Sequence, residues 1–265
     1  MALIWNMCTV IILRRPDHEW PVLIGANRDE MKTRPWLPPA RHWADRPDVI
    51  AGLDELGGGT WLGMNEDGVV AAVLNRYGTL GPAADKRSRG ELPLEALDHA
   101  DAIIAAKSLA ALDSNAYRPF NMVIADNRDA YWLANRGDGK IEIQEIPEGF
   151  SILTAHDIND TKNSERTARN LPRFISAPVP NPEADDWFAW QALIADTGIL
   201  PPDPDHHDIR GDAMLVRSNI GFETVCSSLI GLPGIPVREN ELPRRPVWLF
   251  ANGQPDKAPF QPVEI

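Results

Sequence analysis

The chain has 265 residues, of which 43% are hydrophobic and 24% charged, and its formal net charge is −12 at pH 7. This composition is typical of a globular protein with a sizeable core, and so acidic a chain is a poor partner for nucleic acid or an anionic membrane. No apolar run approaches the ~20 residues of a membrane span. Two cysteines make no disulfide framework, so we expect a reducing compartment, the cytoplasm.

The first two predicted strands form a hairpin near the amino terminus. An aliphatic run over residues 9–13 and an apolar run over 22–26 flank a polar loop over 14–20, which is the pattern of two buried strands. Cys8 opens the first strand, and Asn27-Arg28-Asp29-Glu30 closes the second. Antiparallel pairing brings these two ends to the same edge of a sheet, so we expect the thiol beside the polar cluster.

A thiol next to a guanidinium and carboxylates can be an activated nucleophile, although a small buried hydrophobe is the more common role of cysteine. The order Met7-Cys8-Thr9 shifts this balance. A chain that starts at Met7 and loses it has a free α-amine on Cys8, and this amine, with a pKa of about 8, can act as base for its own side chain. Translation from Met7, which we favour, or cleavage of a leader would free the amine.

The segment over 31–39 is predicted to be an extended loop, because Pro38 and Pro39 disfavour regular structure. It carries Trp36, which either lines a substrate pocket or belongs to the rim of the core. The triplet Gly57-Gly58-Gly59 has no lysine after it, so it predicts a tight turn rather than a phosphate-binding loop. A buried strand over 69–74 then ends at Asn75.

Further strands are predicted over 121–134 as a hairpin, and over 140–146, 151–154, 223–230 and 246–251. Apolar residues recur with helical spacing over 94–108, 164–174 and 185–196, which predicts helices that cover the sheets. Cys226 lies in the middle of a predicted strand, and we expect it to be buried and inert.

Four motifs in order resemble the NRDE family, also called the transport and Golgi organisation protein 2 family. They are Met7-Cys8-Thr9-Val10-Ile11, Ala26-Asn27-Arg28-Asp29-Glu30, Gly58-Gly59-Thr60-Trp61-Leu62-Gly63 and Ser88-Arg89-Gly90-Glu91-Leu92. That family in turn resembles N-terminal-nucleophile hydrolases of the penicillin acylase and bile-salt hydrolase type. The resemblance implies an α+β fold, a four-layer αββα sandwich of two antiparallel sheets flanked by helices, as one domain over residues 1–265 whose nucleophile opens the first strand.

The resemblance also implies roles for individual residues. Asp29 is expected to hold the α-amine of Cys8, with Arg28 as the alternative ion partner that lowers the thiol pKa, and Asn75 takes the place of an oxyanion-hole group. The resembled hydrolases carry an arginine where this chain has Ala26, and an asparagine where it has Ala155; His156 or Asn159 are the candidate substitutes for the latter. The residues expected to bind substrate are Asn27, Glu30, Trp36, Trp61 and His156.

Three functions stay open at this point. The first is an enzyme whose Cys8 attacks an amide, ester or thioester and forms an acyl-enzyme. The second is a non-catalytic carrier of a haem, lipid or acyl-CoA-type ligand on a hydrolase scaffold, which fits what is said of the family. In the third, the polar cluster is purely structural. We expect a small-molecule substrate or ligand, no cofactor and no metal site, because one histidine among scattered aspartates is a weak metal motif.

Overall fold

The computed structural model describes residues 8–235 and 243–265, which form thirteen strands and four α-helices. The expected start at Met7 lies outside the described residues. In chain order the elements are β1 (Thr9–Arg14), β2 (Val22–Met31), β3 (Trp36–Ala40), β4 (Val49–Asp54), β5 (Leu62–Asn65), β6 (Val70–Asn75), α1 (Glu91–Leu97), α2 (Ala102–Ala110), β7 (Phe120–Ala125), β8 (Ala130–Asn135), β9 (Ile141–Glu145), β10 (Gly149–Leu153), α3 (Glu165–Ser176), α4 (Phe188–Ile194), β11 (Phe222–Leu232), β12 (Val247–Ala251) and β13 (Phe260–Pro262).

The strands form two antiparallel sheets that pack face to face. The first sheet has the order β10-β1-β2-β11-β12-β13, and the second has the order β3-β4-β5-β6-β7-β8-β9. Apolar side chains from the facing sides of both sheets make a central core. Helices α1 and α2 cover the outside of the second sheet, and α3 and α4 cover the outside of the first. The layers therefore run α-β-β-α, which confirms the predicted sandwich.

The hairpin of β1 and β2 forms as the sequence predicts. Thr9 pairs with Asn27 and Arg14 pairs with Val22. Every residue of β1 is buried, because this sheet has a second sheet on one face and helices on the other, and strands covered on both faces read as continuous apolar runs. The register leaves Cys8, just before β1, beside Arg28.

The segment predicted as a loop contains the edge strand β3, so this prediction was wrong. Trp36 pairs with Asp54 and Ala40 with Ala51, and the register shifts between Leu37 and Ala40. An edge strand hydrogen-bonds to one neighbour only, so it tolerates prolines that a central strand excludes. The two prolines therefore end the sheet at β3 instead of preventing the strand.

The helical stretch predicted over 94–108 is two helices, because the chain breaks at 98–101. The Nδ2 atom of Asn65 donates to the carbonyls of Leu97 and His99, which holds the end of α1. The Oδ2 atom of Asp126 accepts from the first amide of α2, at Ala102. None of the helices in residues 8–235 and 243–265 has the length and apolar character needed to span a bilayer.

A bulge in β11 decides which side chains reach the site. Thr224 pairs with Asp29 and Cys226 pairs with Arg28, with a register shift between them. Residues two apart on a regular strand share a face, but the extra residue of a bulge reverses this alternation. Thr224 therefore points to the helix layer, and Cys226 points between the sheets.

Candidate functional site

The end of the first hairpin presents different chemistry on its two faces. Even-numbered residues of β1 and β2, such as Val10 and Ala26, belong to the core between the sheets. By the same alternation, Cys8 and Arg28 face the second sheet, whereas Asn27 and Asp29 face α3 and α4. The motif that is contiguous in sequence is thus divided between two environments.

The thiol of Cys8 is half-buried at the start of β1. Its Sγ accepts a hydrogen bond from the backbone N–H of Asp29 at 3.4 Å. Burial, followed by the charge of Asp29, raises the pKa of Cys8 to about 12, while the N–H of Asp29 and the charge of Arg28 act in the opposite direction. With a peptide bond on its nitrogen, this cysteine is a neutral thiol at pH 7.

A cavity of about 20 Å³ lies beside Cys8, between the two sheets. Its walls come from β1, β2, β5, β6 and β11 together with the loop before β5. Both cysteines contribute to it, because the bulge turns Cys226 inward. Cys226 is buried as predicted, and burial raises its pKa to about 12. The lining residues are Cys8, Val10, Ala26, Asn27, Arg28, Trp61, Leu62, Ala72, Val73, Leu74, Cys226, Ser227 and Ser228.

Arg28 is held against the wall of this cavity and is only 5% exposed. Its guanidinium carbon lies 4.0 Å from the ring centroid of Trp61 and 5.8 Å from that of Trp36. Its Nη2 lies 3.4 Å from Oδ2 of Asp54. Its Nη1 is buried and has no hydrogen-bond partner among the described residues. Arg28 therefore presents one unused donor beside the cavity.

The carboxylate of Asp29 is bound on the opposite face of the sheet. Its Oδ1 accepts from the hydroxyl of Thr224 at 2.6 Å, and its Oδ2 lies 3.2 Å from Nη1 of Arg166. The same Nη1 donates to the hydroxyl of Thr9 at 2.7 Å. Burial raises the pKa of Asp29 although Arg166 and Thr224 favour its charged form. This network ties β1, β2, β11 and α3 together directly beneath the thiol.

Asn27 also faces the helix layer. Its Nδ2 donates to the carbonyls of Ile194 and Met214, and its Oδ1 accepts from the hydroxyl of Ser227. Both amide hydrogens are thus used inside the protein. The structure gives Asn27 a clear role in fixing α4 and the chain after it to β2.

Two more of the expected substrate-binding residues lie on the Cys8 side. Glu30 accepts from the backbone N–H of Met31 and lies 3.6 Å from Nε of Arg34. The ring of Trp36 packs edge-on against Trp61 at 5.6 Å, and also against Phe250. Trp36 and Trp61 are therefore brought together with Arg28, and Trp61 alone of this aromatic pair lines the cavity.

The remaining expected residues lie at the end of β6 and after β10. Asn75 is the last residue of β6 and pairs with Phe120. His156 stacks on Tyr77 at 5.3 Å, and burial lowers its pKa. The amide of Asn159 binds Ile152 and Ser151 of β10. Neither Asn75 nor His156 lines the cavity beside Cys8.

Sequence reasoning did not identify Arg166, Thr224 or the inward position of Cys226 as parts of the site. Arg166 had one signal, since it is an arginine on the face of an amphipathic helix that packs on a sheet. Among the described residues, no group of three or more His, Cys, Asp or Glu side chains is arranged to hold a metal ion.

An open groove of about 810 Å³ lies between the edges of the two sheets. Phe250 belongs to its wall and packs on Trp36, so an aromatic row runs from the groove to the Cys8 cavity. The groove is lined by Pro38, Pro39, Ala40, Arg41, Phe250, Asn252, Ala258, Pro259, Gln261, Pro262, Val263, Glu264 and Ile265.

Comparison with solved structures identifies proteins with a similar fold. The N-acylethanolamine-hydrolyzing acid amidase ortholog of Caenorhabditis elegans superposes with a TM-score of 0.55 at 14% identity and covers 87% of this chain and 94% of its own. Penicillin V acylase from Agrobacterium tumefaciens gives a TM-score of 0.55 at 16% identity, and the superposition covers 92% of this chain and 83% of the acylase. Because these identities are low, the similarity shows a shared fold and does not show a shared activity or substrate.

Sequence comparison identifies closer relatives. The Transport and Golgi organization protein 2 homolog of Homo sapiens is 33% identical over 147 residues, which are 50% of this chain and 51% of that protein. The homolog of Bos taurus is 37% identical over 130 residues, 45% of each chain. The chain thus spans about half the length of the curated relatives it matches. The Transport and Golgi organisation 2 family model matches residues 7–225, and the chain belongs to that family.

Proposed function

We propose that the chain is an N-terminal-cysteine hydrolase or acyltransferase that acts on an amide, ester or thioester of a small molecule. The observation that carries this proposal is the position of Cys8. Its sulfur opens the first central strand, accepts the N–H of Asp29 at 3.4 Å and borders a cavity that also contains Arg28. The proposal requires that Cys8 is the first residue of the active protein, through a start at Met7 or cleavage after it.

In the proposed reaction the α-amine of Cys8 takes the thiol proton as sulfur attacks the carbonyl carbon. The carbon–sulfur bond forms, and the carbonyl π electrons move to oxygen. When this intermediate collapses, the bond to the leaving group breaks and the leaving group takes the proton from the ammonium. Water or an acceptor alcohol then attacks the thioester, gives its proton to the amine, and releases the thiolate, which is protonated again.

Asp29 is proposed to hold the ammonium form of this amine. A carboxylate has about four acceptor sites, and Arg166 and Thr224 use one each, so the network leaves acceptor capacity. Asn75 and His156 stay proposed contributors to oxyanion or substrate binding. Trp36, Trp61 and Glu30 are proposed to contact the rest of the substrate on the Cys8 side of the sheet, in a reducing cytoplasmic compartment.

The test is an intact-mass measurement on protein purified from its native host, before and after exposure to iodoacetamide. A mass that begins at Cys8, with Cys8 alkylated faster than Cys226, supports the proposal, because Cys226 is almost fully buried. Acyl substrates are then screened, and a thioester adduct on Cys8 is sought by mass spectrometry. A mass that retains Met7 contradicts the mechanism.

A second candidate function is a carrier of an apolar ligand. The groove of about 810 Å³ favours it, because the volume lies in the range of small-molecule sites. A carrier does not need a free α-amine on Cys8. The test is the binding of a fluorescent fatty acid or of haem to the wild type and to Phe250→Ala. Saturable binding that this substitution weakens, without an acyl adduct on Cys8, supports the carrier over the enzyme.

A further inference from the structure

We propose that Arg28 supplies the oxyanion donor of this site, by donating from Nη1 to the carbonyl oxygen of the acyl group that Cys8 attacks. This inference rests on the proposed function and adds a contact with the reacting atoms to it. The sequence pattern alone suggested only that Arg28 is an ion partner of the thiol.

The first support is the unused donor. Arg28 is only 5% exposed, yet its buried Nη1 has no partner among the described residues. A buried charged donor without an acceptor is more costly than a neutral one, and such groups are rare in folded proteins. An acceptor supplied by a ligand removes this cost, so Nη1 is a donor available to a substrate oxygen.

The second support is position. Thr9 is paired with Asn27, so Cys8 and Arg28 are opposite each other and face the same side. Facing residues of antiparallel strands have Cα atoms about 4.5–5.5 Å apart. Both side chains line the same cavity. A carbonyl oxygen in that cavity, bonded to a carbon beside the sulfur, can therefore reach the guanidinium.

The third support is rigidity. The ring of Trp61 lies 4.0 Å from the guanidinium carbon, and Asp54 lies 3.4 Å from Nη2. Asp54 is itself fixed by Nε of Arg34 at 2.8 Å. Donors that are already oriented do not have to reorganise when negative charge develops on oxygen, which is why such donors are effective.

Size distinguishes an oxyanion from a larger anion. A volume of about 20 Å³ holds about one water-sized group by the same measure. A whole phosphate group needs more room than this, whereas one oxygen atom of an acyl group fits. Arg28 is also the one cationic side chain among the lining residues, all of which belong to the described part of the chain. A single carbonyl oxygen therefore fits best.

The experiment separates two reactions of the same thiol in protein that begins at Cys8. Iodoacetamide alkylates sulfur without forming an oxyanion, whereas acetylation by p-nitrophenyl acetate passes through one. We compare the wild type with Arg28→Gln, Arg28→Lys and the control Arg46→Gln, which removes an arginine that pairs with Asp45 and Asp98 and does not line the cavity. Circular dichroism and thermal unfolding check that each variant folds. If Arg28→Gln does not fold, Arg28→Lys takes its place in the comparison with the wild type.

The readout is the ratio of acetylation to alkylation rate constants of Cys8. We expect this ratio to fall about 10²–10³-fold in Arg28→Gln, the usual effect of removing one oxyanion donor, to fall less in Arg28→Lys, and to stay unchanged in Arg46→Gln. If the ratio is unchanged in Arg28→Gln because both rates fall equally, Arg28 acts on the thiol and not on the oxyanion. This outcome overturns the inference and leaves the proposed function standing. A wild type that is alkylated but never acetylated overturns the proposed function and this inference with it.

Discussion

The Oδ2 atom of Asp29 lies 3.2 Å from Nη1 of Arg166, and neither side chain is exposed to solvent. This ion pair joins β2 to α3 on the face of the sheet opposite Cys8. The hydroxyl groups of Thr9 and Thr224 complete it from the two neighbouring strands. This charged network therefore ties the strands that carry Cys8 and Arg28 to α3.

Replacing Arg166 by Met should destabilise the protein strongly. Removal of one partner of a buried pair leaves the other charge uncompensated, which costs about 3–5 kcal/mol, and here the remaining charge is Asp29. Urea unfolding measures the loss of free energy. Arg173→Met is the matched control on the same helix, because Arg173 is 34% exposed in its ion pair with Asp196, and a surface pair contributes about 0–1 kcal/mol. Equal effects of the two substitutions would contradict the assignment.

Replacing Asn27 by Ala should also destabilise the fold, by about 1–3 kcal/mol for each backbone carbonyl left without a donor. Ile194 and Met214 supply these carbonyls. Asn27→Asp should cost more, because a carboxylate cannot donate to either carbonyl and is buried as well. The denaturation midpoints of both variants are compared with Asn163→Ala, an exposed asparagine. An aspartate variant as stable as the wild type would show that this amide is not a structural link.

Gly52→Ala should displace the ring that supports Arg28. A Cβ atom on Gly52 would lie 2.2 Å from Cη2 of Trp61, which is far inside contact distance, and overpacking of this kind costs about 1–3 kcal/mol. The same substitution in a Trp61→Ala background should cost much less, because the clash is gone. A double-mutant cycle by chemical denaturation measures this coupling. Equal costs in both backgrounds would disprove the contact.

In protein that retains Met7, alkylation of Cys8 should be slow at pH 7 and should rise about tenfold per pH unit up to pH 10. The reason is that burial and Asp29 raise the thiol pKa to about 12, so the reactive thiolate increases tenfold with each unit below that value. Iodoacetamide labelling followed by peptide mass spectrometry gives the profile. Protein that begins at Cys8 should react faster at neutral pH. A plateau near pH 8 in the longer protein would contradict the raised pKa.

The hairpin at the site could be predicted from the sequence because its information is local. Two apolar runs of β-branched and aliphatic residues, a polar loop between them and a polar cluster after the second run define its strands and their ends. The edge strand β3 could not be predicted in this way. Whether Pro38 and Pro39 prevent a strand depends on whether a neighbour needs their N–H groups, and that is a property of the whole sheet.

The sequence by itself determined the first hairpin, the strand that Cys8 opens and the proximity of the thiol to the polar cluster, because periodicity, turn residues and antiparallel pairing act over short distances along the chain. The sandwich of two antiparallel sheets was expected from the resemblance to a family and not from these patterns. Only the tertiary structure decided which members of the cluster face the cavity. The bulge between Thr224 and Cys226, the buried Arg166 of α3 and the ring of Trp61 against Arg28 are contacts between segments far apart in sequence. They depend on side-chain packing between distant segments, which no local pattern encodes.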